Sequence, residues 1–317
     1  MINQPQTQLA AIARYCAERG IALDVREDGW LLVLEGVGRR HLIFGYDLGL
    51  NSAVAHRLAC DKAATAALLK AAGIAAVPHA FLLAPALGGR SGQATEAMLE
   101  LLETHPRGVV VKPNEGTSGR SVTRAATKDE LLNAAARIFE TGANVAISPL
   151  IEIVDEVRVV QLDGKPLIVY RKQRPAVTGD GVKSLRELAL SATPATEHAQ
   201  LLRRLDAEFD TSALRAIVPR GEERLLSWRH NLEFGAQPVL LEPDALRDAC
   251  AALATEAARA IGIRYASVDL VLADGRWQVL EINSGVKMET LGLHVPDVVE
   301  AAYFAALDAI FGSRPSG

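Results

Sequence analysis

The side chains best placed for chemistry in this chain are oxygen donors near its C-terminal end: Asp269, Glu281 and Asn283. Glu281 and Asn283 are two residues apart, so on a β-strand they share one face. Three oxygen ligands at one sheet face suit Mg²⁺, with Mn²⁺ as an alternative ion; Mg²⁺ prefers carboxylates, waters and phosphate oxygens. The competing reading is a solvated polar face, with Asn283 as a turn former. Register decides between them. A two-residue turn at Asp274-Gly275 pairs Asp269 with Leu280 and puts Asp269 and Glu281 on opposite faces, so the metal reading requires a bulge or a three-residue loop.

Polyphosphate chemistry is suggested by a second group. Lys112 closes the apolar run Val109–Lys112 and precedes the loop Asn114-Glu-Gly-Thr-Ser-Gly119. A lysine at a strand end supplies a point charge for phosphate oxygens, and Gly-rich amides can cover them, although Gly-Thr-Ser-Gly is also an ordinary turn. Arg158, Arg171, Lys172 and Arg174 add cations on and after β-type segments. Near a nucleotide they can offset charge that develops in phosphoryl transfer; otherwise they guard a solvated edge strand. We read Arg171 as the guard and Arg174 as functional. Other signatures are missing: no GxxxxGK[ST], GxGxxG, HExxH or GxSxG, and no Cys–His pairing at a useful spacing.

The elements that position these groups follow from periodicity. Helices are expected over Gln8–Arg19, Asp61–Ala72, the segment opened by the capping box Thr127-Lys-Asp-Glu130, much of Leu185–Glu208, and the residues after Pro243-Asp244. Strands are expected at Trp30–Leu34, His41–Phe44, Ala76–Leu83, Val109–Lys112, Val145–Ser148, Val157–Leu162, Leu167–Arg171, Ser267–Ala273 and Trp277–Ile282, and Pro85–Gly92 reads as a loop. The mixture implies α/β and α+β lobes side by side, with a ligand cleft between them.

Length and charge narrow the class. The chain has 317 residues, 49% hydrophobic and 23% charged, and a formal charge of -4. That balance excludes wholesale disorder and argues against a surface built for nucleic acid or anionic membrane. Three scattered cysteines, Cys16, Cys60 and Cys250, form no disulfide framework. With no signal-like N-terminus and no long apolar run, the expected location is the cytoplasm.

The ordered motifs resemble the ATP-grasp superfamily of carboxylate–amine ligases, in particular the ATP-grasp portion of cyanophycin synthetases and of bifunctional glutamate–cysteine ligase/glutathione synthetases. The pieces are Leu58-Ala-Cys-Asp-Lys62, Val77-Pro78, Val109–Gly119, Asp155-Glu-Val-Arg-Val159, Arg174–Gly181, Ser267-Val-Asp-Leu270 and Leu280-Glu-Ile-Asn283. The resemblance implies a mixed α+β and α/β architecture, the ATP-grasp fold. Residues 1–57 would form a small N-terminal element, with ATP-grasp subdomains at 58–146 and 147–317 clasping ATP. Lys62 and Lys112 would bind its phosphates, Gly116, Thr117, Ser118 and Gly119 would close over them, and Ser148, Leu150 and Ile151 would meet adenine. Glu156, or else Glu152, would meet ribose. Asp269, Glu281 and Asn283 would hold Mg²⁺, while Arg174 and Arg158 would face the transferred phosphoryl group. Arg229, His230, Asn231 and Lys287 are the substrate candidates.

The implied activity joins a small-molecule carboxylate to an amine through an acyl phosphate, with no nucleic-acid or membrane partner and homo-oligomers left open. Peptide tailoring and a non-catalytic nucleotide-binding module are the alternatives. Departures from the family pattern are Ser267, where D-alanine–D-alanine ligases carry arginine, and Ser-Gly-Val-Lys-Met-Glu after Asn283. The end at residue 317, without a Mur-ligase-like domain, implies something other than a complete cyanophycin synthetase.

Overall fold

The structure is a computed structural model that describes residues 6–88, 91–116, 121–232 and 235–312. An N-terminal helix, α1 (Gln6–Arg19), ends at Gly20, whose φ of 64° suits a residue without Cβ. The meander β1 (Ala22–Arg26), β2 (Leu31–Gly36) and β3 (Arg39–Phe44) follows, then α2 (Ala53–Cys60) and α3 (Lys62–Ala71). Asp61 joins these two helices. Its carboxylate accepts from the Ala64 amide at 2.8 Å, capping α3, while its own amide donates to Leu58 and closes α2.

Next come β4 (Ala80–Leu82), α4 (Ser91–Thr104), β5 (Val109–Pro113), β6 (Thr123–Ala125), α5 (Lys128–Glu140) and β7 (Val145–Pro149). They build a four-stranded sheet of order β4-β7-β5-β6. The capping box at Thr127 and Glu130 is formed as its sequence demands. Val109, Val111 and Val145 pack on Leu131, Ala135 and Ile138 of α5. Alternation therefore turns Lys112 to the other face. Two expectations fail here. Ala76–Leu83 is not one strand, because Ala75 and Val77 bond instead to Val279, leaving only Ala80–Leu82 in this sheet. And Ser91 starts a helix within the segment read as a loop.

The larger sheet uses β8 (Asp155–Leu162) and β9 (Lys165–Gln173), then, after β10 (Ala176–Thr178), α6 (Leu185–Ser191), α7 (His198–Glu208), α8 (Thr211–Arg215) and β11 (Glu223–Leu225), the strands β12 (Gln237–Leu240), β13 (Tyr265–Ala273) and β14 (Arg276–Asn283) in the order β12-β9-β8-β13-β14. Between β12 and β13 runs α9 (Ala245–Ala260), and the chain ends through α10 (Glu289–Gly292) and α11 (Pro296–Phe311). One face of the sheet, Val157, Val159, Val268, Leu270 and Ile282, forms a core with α2, α3 and α9.

The chain divides into two compact units, Met1–Tyr170 with Leu240–Gly317, and Arg171–Val239. The second has its own core around Val177, Leu185, Leu188, Leu205 and Leu214. Among the described residues no helix is long and apolar enough to cross a membrane.

Candidate active site

Asp274-Gly275 makes a two-residue turn, both residues with φ near 50–73°, and pairs Ala273 with Arg276. Pairing stays regular as far as Leu270 with Val279. There the register slips: Asp269 lies opposite Glu281 and Ser267 opposite Asn283, so Leu280 is the extra residue of a β-bulge. The bulge supplies the offset that the metal reading requires, and it puts both carboxylates on the face opposite α9.

On that face Asp269 also meets β8. Arg158 lies directly opposite, and its Nε and Nη2 donate to the two Asp269 oxygens at 2.6 Å each. The Asp269 side chain is only 2% exposed. Burial works against the Arg158 charge, but Asp269, Tyr170 and Glu281 outweigh it, and the guanidinium is held charged with a raised pKa. Asn283 Nδ2 donates to Glu281 Oε1 at 3.3 Å. Glu156, two residues before Arg158 on β8 and therefore on the same face, lies opposite Val271 and is buried; Glu152 is 83% exposed beside Arg107.

The smaller sheet contributes Lys112, 7% exposed. Burial lowers its pKa to about 8; the opposing pull of Glu281 is the next largest influence, and Lys62 adds a smaller lowering. A cation held under those conditions favours an anion beside it. Lys62, at the first turn of α3, donates from Nζ to the carbonyls of Gly116 (3.0 Å) and Asn114 (3.4 Å). Its helix start is tied to the same loop, since the Ala63 amide donates to Asn114 Oδ1 at 3.1 Å. Lys62, Lys112 and Glu281 are therefore close enough to act on one another, and the base of the 114–116 loop is fixed. Thr117, Ser118 and Gly119 lie outside the described residues.

Ser148 is buried on β7, opposite Val110, and the Leu150 amide is committed to the Gly108 carbonyl at 3.0 Å. Ile151 follows at half-buried depth. Arg174 and the Arg229–Asn231 stretch belong to the second unit. There Arg229 pairs with Glu208 at 3.5 Å and stacks over Trp228, and His230 Nδ1 donates to the Lys172 carbonyl at 2.9 Å. Lys287 Nζ sits 6.0 Å from the Tyr46 ring centroid, in the first unit.

Two features escaped the sequence reading. His79 lines a small cavity with Lys62, Thr65, Leu280 and Glu281. Its Nδ1 bonds the Val77 carbonyl at 2.9 Å, and its buried Nε2 has no hydrogen-bond partner. Burial, then Lys112, lowers its pKa to about 3, so the ring is neutral. The other is a Cys–His pair: His56 and Cys60, four apart on α2, are in contact. The spacing was present in the sequence, and our expectation of no such pairing is corrected.

The donor chemistry fits a hard divalent cation: two carboxylates and an amide oxygen, with buried cations alongside. Among the described residues no three His, Cys, Asp or Glu side chains form a metal-holding group, so any such ion depends on the amide of Asn283.

No family model matches the sequence. Curated cyanophycin synthetases from Trichormus variabilis and a Nostoc species are each 26% identical over 283 residues, covering 82% of this chain. The chain spans about 30% of the length of these relatives. Among solved structures, a bifunctional glutathione synthetase from Pasteurella multocida aligns with a TM-score of 0.55 at 16% identity, over 95% of this chain and 44% of its own. A D-alanine–D-alanine ligase from Bacillus anthracis complexed with ATP aligns with a TM-score of 0.51 at 20% identity, over 82% and 67% respectively. The two sheets, the buried lysine between helix and strand ends, and these likenesses agree: the chain has the ATP-grasp fold.

Proposed function

We propose that the chain is an ATP-dependent ligase that joins the carboxylate of a small amino-acid-type substrate to an amine. The observation that carries this reading is the bulge at Leu280, which sets Glu281 opposite Asp269 on the polar sheet face while Lys112 lies buried within electrostatic reach of Glu281. A carboxylate resists attack by an amine because oxide is a poor leaving group. ATP supplies a phosphoryl group that turns that oxygen into phosphate, and Mg²⁺ (or Mn²⁺) offsets the charge.

In this reading Lys62 and Lys112 hold phosphate oxygens, and the amides from Gly116 through Gly119 cover them. Asp269, Glu281 and Asn283 hold the metal, and Arg158 keeps the Asp269 carboxylate aimed through its two hydrogen bonds. Ser148, Leu150 and Ile151 present backbone to adenine, and Glu156 accepts from ribose. Arg174 stabilises charge on the transferred group, while Arg229, His230, Asn231 and Lys287 recognise the acid. The subdomain division at residues 146/147, and a location in the cytoplasm, belong to the same proposal.

Hydroxylamine trapping tests it. The chain is incubated with ATP, Mg²⁺ and a panel of amino acids and dipeptides, with hydroxylamine replacing the amine. A hydroxamate with matching ADP is expected for at least one acid. ATP binding with no hydroxamate and no acid-stimulated ADP across the panel would favour a binding module or a peptide-tailoring enzyme.

A further inference from the structure

On α2, Cys60 Sγ lies 3.8 Å from Nε2 of His56. The other ring nitrogen, Nδ1, has Asp47 Oδ2 at 3.3 Å and Ser284 Oγ at 3.0 Å. Of these two neighbours the Ser284 hydroxyl can donate or accept, whereas the Asp47 carboxylate only accepts; the tautomer that serves both carries its proton on Nδ1 and turns the Nε2 lone pair to the thiol. Nucleophile, base and orienting carboxylate are thus in sequence. Cys60 itself is half-buried, beside an imidazole 37% and an Asp47 side chain 35% exposed. Cys16 and Cys250 are buried and serve as internal controls.

We propose that Cys60 is a base-assisted nucleophilic thiol, the modification site for small-molecule disulfides, and that its modification loosens the ATP grip. His56 Nε2 takes the thiol proton, and Cys60 Sγ attacks one sulfur of the disulfide R–S–S–R. The Cys60–S–S–R bond forms as the original S–S bond breaks. The departing thiolate takes the proton back from the imidazolium and leaves as R–SH, so Cys60 is oxidised and one half of the reagent is reduced. The consequence for ATP follows from position. Cys60 immediately precedes Asp61, which caps α3, and Lys62; its sulfur is 4.0 Å from Ser284 Oγ, next in sequence to Asn283. A group added to the sulfur has to push against this junction. That consequence rests on the ATP reading above, whereas the thiol reaction does not.

The full chain is treated at neutral pH with dithiodipyridine, following release of the coloured thione, and the labelled cysteine is located by peptide mass. One fast thiol per chain is expected, at Cys60, and His56→Gln should slow it by about tenfold or more. Asp47→Asn should slow it less, and added imidazole should restore part of the rate in His56→Ala. Circular dichroism of each variant separates a folding failure from a chemical one. A fast phase mapping to Cys16 or Cys250, or a folded His56→Gln reacting at the unmodified rate, overturns the assignment. In the second arm, labelling should weaken ATP binding at least about tenfold by calorimetry, reversibly with dithiothreitol. Cys60→Ser should bind ATP normally and be indifferent to the reagent. Unchanged affinity after complete labelling overturns the coupling. A chain that binds no ATP, labelled or not, overturns the proposed function while leaving the thiol result standing.

Discussion

Arg158 and Asp269 show how much one residue's role depends on its neighbour. Read from sequence, Asp269 is a metal ligand and Arg158 a phosphoryl-facing cation. In the structure each is first of all the other's partner, through two 2.6 Å hydrogen bonds to a carboxylate that is itself almost fully buried. Removing only the arginine strands a buried carboxylate, so Arg158→Met should lose about 3–5 kcal/mol of unfolding free energy. Adding Asp269→Leu should recover much of that loss, because the uncompensated charge is gone. Urea denaturation of the single and double variants checks this, and a single variant within 1 kcal/mol of the parent would show that the pair is not coupled. His79 makes a prediction of its own. Its folded pKa is about 3, below the usual 6.5, so the unfolded chain takes up the proton first as pH falls. Its contribution is lost progressively from about pH 6.5 down to about pH 3 and changes little outside that window. His79→Gln should therefore flatten the acid side of a Tm-against-pH profile. An unchanged slope would mean that the ring already carries its proton in the fold.

At the scale of elements, local codes were the readable part. The capping box at Thr127 and Glu130 formed because both partners lie within one turn, and the amphipathic stripe behind it met its sheet as periodicity required. The candidate metal residues were legible as types and spacing, but their meeting was not. It depends on a bulge at Leu280, and nothing in Val-Leu-Glu-Ile announces one; beside the bulge Val279 bonds to Ala75 and Val77, contacts about 200 residues away in sequence that local pattern does not contain. The same long-range bonds explain why Ala76–Leu83 failed as a single strand. The contact of His56 with Asp47 and Ser284 was equally invisible, since Ser284 is 228 residues away. Asp61 gives this scale its prediction. It caps α3 at the point where Lys62 is anchored, so Asp61→Ala should cost about 1 kcal/mol of stability. It should also weaken ATP binding, because the Lys62 backbone no longer has a fixed start. A stability loss with ATP affinity untouched would detach the cap from the site.

At the scale of the molecule, the two ends of the chain are held together within the first unit, and the clip lies close in sequence to the candidate metal residues. Glu289, far along the chain, caps the first turn of α1, accepting from the Thr7 amide at 2.7 Å and the Gln8 amide at 3.2 Å. Asp308 of α11 receives the Tyr15 hydroxyl at 2.8 Å and Arg19 at 2.9 Å. A carboxylate at a helix N-terminus gains from both hydrogen bonding and the helix dipole. Glu289 is six residues beyond Asn283, so the contact that caps α1 also restrains the segment after the last strand. Glu289→Ala should lose about 2 kcal/mol. Its diagnostic effect is spatial: amide hydrogen exchange should rise in residues 6–10 and 284–292 together, while α5 and α9 keep their protection. Glu289→Gln, which keeps an accepting oxygen but not the charge, should fall between the parent and the alanine variant. Faster exchange in residues 6–10 alone would make the clip a private feature of the helix. Faster exchange in both segments would mean that the N-terminal element steadies the loop following the candidate metal site.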